Sequence, residues 1–172
     1  FLLERASAII TWLVVTGFSI GLLIDNGSFS PTHIVVASVL CITYLALWLY
    51  ATTNDDCFIV YFPKLLATAV LFFNVIAIYF VIPYSFVAIF MVLFSAISPY
   101  YMKIKLAFLI SPLWSIPLYL IYAFYWQQNS VLITAFLFWT FNIFALVMVS
   151  GNLREREARI QVEEANSKLI AT

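Results

Sequence analysis

Residues 131–172 read VLITAFLFWTFNIFALVMVSGNLREREARIQVEEANSKLIAT. The stretch 131–150 carries no charged side chain, whereas 153–172 is dominated by Arg, Glu, Lys and other good helix formers, with no proline. A helix needs roughly 17–25 mostly apolar residues to cross about 30 Å of hydrocarbon, and the charged run that follows suits only water. The change of character falls at Ser150-Gly151-Asn152. These residues therefore predict one helix that leaves a bilayer and continues into water.

The same apolar texture fills the rest of the chain. Of its 172 residues, 65% are hydrophobic, 19% aromatic and only 9% charged, with a mean hydropathy of +1.07. Soluble domains carry about 25% charged residues, and a domain this long buries only about 70% of its unfolded surface. Lipid must cover the remainder. Six spans are expected, at 8–24, 33–50, 65–82, 84–101, 106–126 and 131–150, with turn residues between them: Asp25-Asn26-Gly27-Ser28 with Pro31, Pro83 alone, and Gln127-Gln128-Asn129-Ser130. The run 58–62, cut off by Pro63 and Lys64, reads as a short interfacial piece. In lipid the backbone must satisfy its own hydrogen bonds, and the runs lack the period-two alternation of a membrane barrel. The fold class is thus all-α: a polytopic transmembrane bundle over 1–150, followed by a cytoplasmic coiled-coil helix over 151–172.

Sidedness follows from the basic residues. Arg5, Lys64, Lys103, Lys105, Arg154, Arg156, Arg159 and Lys168 all fall on one side of a six-span topology, and the loops around Asp25, Pro83 and Gln127 hold none. The positive-inside rule makes that side the cytoplasm. Both termini are then cytoplasmic. Trp48, Tyr50, Tyr100, Tyr101, Tyr125 and Trp126 lie where helix ends meet headgroups and are expected to anchor there.

The spans contain no Asp, Glu, Lys or Arg, which argues against proton relays, ion pumps and carriers of charged substrates. Asn74 and Asn142 are the amides inside spans, and they are expected to bond across to a neighbouring helix. They could alternatively grip the polar head of a small apolar ligand, together with Trp139, Trp114 and His33. Pro112 and Pro117 should kink the fifth span around Trp114 and can open a pocket there. Gly17 and Gly21 form a GxxxG that permits close helix approach. Cys41 and Cys57 lack metal-ligand spacing and read as free thiols. One histidine cannot build a metal site. No nucleotide loop, nucleophile elbow or zinc-protease motif is present, and no basic patch suits nucleic acid. Neither cofactor, metal nor enzymatic activity is expected of this stretch.

Beyond Gly151, the residues Ala158, Val162, Ala165, Leu169 and Thr172 follow 4-3-4-3 spacing, a heptad seam. The runs LREREARI (153–160) and EEANSKL (163–169) resemble the signalling helix of bacterial sensor histidine kinases, most closely the DesK-like group. That resemblance implies a homodimeric membrane sensor whose helix leads into a downstream kinase domain, which in turn acts on a response regulator. A chain that starts at Phe1 and stops in helical pattern at Thr172 reads as an excerpt of a longer protein. The membrane sensor of a cyclic-dinucleotide synthase and a small transporter or channel are the alternatives.

Overall fold

The computed structural model describes residues 2–52 and 62–172. The expected piece at 58–62 falls almost wholly outside them, as does Cys57. Among the described residues every regular element is helical. Five segments are long and apolar enough to cross a membrane: Leu3–Asn26, Pro31–Ala51, Lys64–Val81, Ile104–Tyr125 and Val131–Ala171. Within them run α1 (Leu2–Asn26), α2 (Pro31–Ala51), α3 (Phe62–Val81), α5 (Ile104–Ile110), α6 (Ile116–Leu120) and α7 (Val131–Ala171). The fourth predicted span is shorter, Ser85–Tyr100, with α4 (Ile89–Ala96) set between 3-10 turns at Ser85–Ala88 and Ser98–Tyr100.

That short segment still runs the full height of the bundle. At one end the Tyr84 hydroxyl donates to Leu22 O of α1 (3.2 Å), and at the other the Tyr101 hydroxyl donates to Ala51 O of α2 (3.0 Å). A 3-10 turn rises about 2.0 Å per residue against 1.5 Å for an α-helix, so these residues reach roughly 27 Å, close to a bilayer's hydrocarbon thickness.

The fifth span is broken where its prolines predict. A 3-10 turn at Ser111–Trp114 separates α5 from α6, and a π-turn at Ile121–Tyr125 closes the span. Proline removes the amide that would bond four residues back, and the 3-10 turn absorbs the mismatch.

Large apolar side chains cover the outside, among them Phe18, Phe73, Leu109, Phe124, Ile133 and Phe144, all more than 60% exposed. A contiguous apolar exterior of this extent belongs in lipid. The chain is a membrane protein whose helices meet the bilayer.

The interior is stitched by aromatic donors. Trp12 Nε1 donates to Cys41 O (2.9 Å), the Tyr44 hydroxyl to Phe90 O (2.7 Å), Trp48 Nε1 to Leu93 O (3.2 Å) and Trp126 Nε1 to Tyr79 O (2.8 Å). A helical carbonyl has a second lone pair, so the bonds from Trp12, Tyr44 and Trp48 tie two helices without opening either, while the Trp126 indole meets the Tyr79 carbonyl, which Pro83 four residues on leaves without an α-helical amide. Trp48, Tyr101 and Trp126 therefore turn inward as clamps, where the sequence suggested headgroup anchors. Tyr50 and Tyr125 stay largely exposed, as an anchor requires.

Candidate functional site

α7 crosses the membrane segment and continues through Gly151 without a break, 41 residues in one helix, or roughly 60 Å. Its buried stripe is Val131, Ala135, Phe138, Asn142 and Leu146, the spacing of one helix face. An amide in such a stripe needs a partner. Ser95 of α4 supplies it: Ser95 Oγ lies 2.9 Å from Asn142 Oδ1 and 2.9 Å from Val92 O in its own helix. Asn142 is 1% exposed, so this bond forms away from water, where an unmet amide costs most.

One turn earlier, Trp139 holds the kinked span. Its Nε1 donates to Ser111 Oγ (3.1 Å), and Ser111 Oγ donates to Phe108 O (2.8 Å). Phe108 stands four residues before Pro112, so its carbonyl is the one deprived of an α-helical amide. The Ser111 backbone amide and the hydroxyl just before the proline together replace it. Ser98-Pro99 uses the same device, with Ser98 Oγ donating to Ser95 O (2.5 Å), the carbonyl four before Pro99.

The remaining candidates scatter. Trp114 packs edge-on to Phe72 and Phe94, with centroids 5.5 and 5.2 Å away, an aromatic triangle joining α3, α4 and the kink. Asn74 is 8% exposed, yet its Oδ1 meets no hydrogen-bond partner among the described residues; the cross-helix bond expected of it is absent there. His33 Nε2 lies 2.6 Å from Val81 O. A carbonyl only accepts, so Nε2 carries the proton, and the ring caps the end of α3 from the start of α2. Phe29 packs tilted against the His33 ring, with centroids 4.8 Å apart. Gly17 and Gly21 face outward with no atom within 4 Å of either added Cβ, so among the described residues the GxxxG brings no helix close.

Two features flank the α7 pins. On the lipid side, a groove of about 420 Å³ opens between the kink and α7, lined by Pro112, Ser115, Tyr119, Ala135, Phe136 and Trp139 among others. The kink thus opens a cavity on the side of Trp139 and Ser115 as well as beside Trp114, which lines a cleft of about 290 Å³ with Phe72 and Phe94. At the basic end, Asn152 Nδ2 donates to Glu4 of α1, and the Arg5 guanidinium donates to Thr52 O at the end of α2. α7 is thereby tied at the point where it leaves the bundle. No group of acidic, histidine or cysteine side chains suited to a metal ion occurs among the described residues.

Gly151, Ala158, Val162, Ala165 and Leu169 all belong to the exposed continuation of α7, with Val162 and Leu169 58% and 72% exposed. At about 100° per residue, the seam sits about 160° round the helix from the buried stripe centred on Asn142. It extends the lipid-facing line of Ile133, Phe144 and Val147.

Neither protein-family models, curated proteins nor solved structures give a match to this chain.

Proposed function

We propose that the chain is the membrane-embedded sensory input domain of a two-component histidine kinase of the DesK-like kind. It acts as a homodimer in a bacterial inner membrane with both termini in the cytoplasm. The supporting observation is the division of α7 into two opposite faces. One is pinned inside the bundle through Trp139 and Asn142; the other carries an apolar seam with no partner among the described residues. An apolar heptad face in water calls for a second helix, and a second copy of the same chain offers an identical one. A membrane signal, whether thickness, temperature or a small apolar ligand, changes the packing around the kink and moves α7. The seam at Val162 and Leu169 then shifts between two packings, and the downstream kinase domain and response regulator read the shift.

The test is disulfide crosslinking of the full protein in its own membrane, with cysteines placed singly at Val162 and Leu169. Crosslinked dimers whose yield changes with growth temperature, in the same direction at the two positions, are expected. Monomeric behaviour at both positions, or a constant yield, overturns the reading. Uptake of a solute by liposomes holding the chain would favour a transporter instead.

A further inference from the structure

We infer that the cleft between α3 and the fourth crossing is a site for one anionic phospholipid, with an acyl chain in the cleft and the phosphate at the end flanked by Lys64 and Lys103. The cleft, of about 290 Å³, has one wall on each of these crossings, with Trp114 beside both. Leu65, Thr68 and Phe72 line the α3 wall at the spacing of one helix face. Phe94, Ser98 and Met102 line the other. Leu65 and Phe73 at its edge are 47% and 67% exposed, so it opens toward lipid. From Leu65 to Phe73 it runs roughly 12 Å along α3, most of the roughly 15 Å of hydrocarbon in one leaflet.

The distribution of polarity selects the occupant. Along the cleft the hydroxyls are turned to the protein: Thr68 Oγ1 donates to Lys64 O (2.9 Å), Ser98 Oγ to Ser95 O (2.5 Å) and the Tyr101 hydroxyl to Ala51 O (3.0 Å). The Trp114 Nε1 is shielded as well. An alkyl chain therefore takes no hydrogen bond away from the lining. Charge stands at one end only. Lys64 lies four residues before Thr68, on the same face of α3 and one turn beyond the lining, and its side chain leans toward the helix start. Lys103 directly follows Met102, where the other wall ends, and is exposed. No acidic side chain of the described residues lines the cleft. Two ammonium groups at headgroup level attract a lipid of net negative charge. A zwitterionic lipid brings the same chain, but its own cation opposes them. Lys105 supplies the contrast: it stands four residues before Leu109, which is 76% exposed and outside the cleft, and so belongs to a face turned to bulk lipid. The bound chain lies against the triangle of Phe72, Phe94 and Trp114 beside the kink. The inference does not depend on the kinase reading, since binding without any change in the α7 seam keeps the one and removes the other.

The full chain is placed in phosphatidylcholine nanodiscs holding a minor share of phosphatidylglycerol. Either lipid carries a diazirine midway along one acyl chain, and the labelled peptides are mapped after photolysis. Phosphatidylglycerol should label 65–73 and 94–102 in preference to phosphatidylcholine, judged against the ratio of the two on the outer face of α1 around Phe18. Lys64→Gln and Lys103→Gln should each lower that preference about fivefold, and the pair should remove it. Lys105→Gln should leave most of it. Ala69→Trp, at an exposed position of the cleft, should take labelling by both lipids away from 94–102 while the thermal midpoint holds. A ratio at the cleft equal to that around Phe18, a preference that survives the double variant, or an equal loss with Lys105→Gln overturns the inference.

Discussion

Ser95 Oγ and Asn142 Oδ1 meet at 2.9 Å, joining the shortest crossing of the bundle to its longest helix. The hydroxyl has one proton and two acceptors in reach, Val92 O within its helix and the amide across from it. Local and tertiary demands converge on one atom, so the two residues should behave as a coupled pair. Ser95→Ala leaves the Asn142 amide buried without this partner and should cost about 1–3 kcal/mol. Asn142→Leu should cost less, and the double variant should cost little more than Asn142→Leu alone. A double-mutant cycle on unfolding in detergent checks this, with a coupling about as large as the cost of Ser95→Ala expected.

Trp139 and Ser111 should rank differently from one another. Trp139→Phe removes one donor and leaves Ser111 bonded to Phe108 O, a loss of about 1 kcal/mol. Ser111→Ala takes away the hydroxyl's part of the repair at the Pro112 kink and also strands the indole N–H, so it should lower stability further. Thermal unfolding of both variants, with indole fluorescence of the second reporting the freed Trp139, gives the comparison.

The glycines should tolerate a methyl group. Gly17, Gly21 and Gly151 have no atom within 4 Å of an added Cβ and lie inside helices. Gly151→Ala should stabilise the junction by about 0.5–1 kcal/mol, seen as slower amide hydrogen exchange on either side of residue 151. Gly17→Ala and Gly21→Ala should leave the melting temperature of the detergent-solubilised monomer unchanged or raise it.

Much of this architecture was legible in the sequence because lipid imposes length and hydropathy. The crossings, the kink at Pro112 and Pro117 and the unbroken passage through Gly151 all follow from patterns that one residue cannot blur. The 3-10 turn at Ser85–Ala88 did not, since no proline lies within it, whereas Pro99 accounts for the one at Ser98–Tyr100. Asn142 was singled out as a polar residue in lipid, but nothing marked Ser95 or Ser111 as its neighbours' partners; a serine in a membrane helix usually serves its own helix. The one local clue was the Ser-Pro pair, because a hydroxyl just ahead of a proline falls on the carbonyl the proline abandons. Asn74 shows the limit of such reasoning: the same residue type, equally apolar neighbours, and an oxygen that meets no partner among the described residues.

Besides the tie at Asn152, two grips on α7 lie on successive turns inside the bundle and reach to different crossings, Trp139 to the kinked fifth and Asn142 to the fourth. A roll or slide of α7 large enough to lose one bond displaces the neighbouring turn by nearly the same amount and loses the other. The helix therefore has no half-released position in which one grip holds and the other is free. Whatever loosens it works against the sum of both, which makes the start of movement a threshold rather than a gradual yielding.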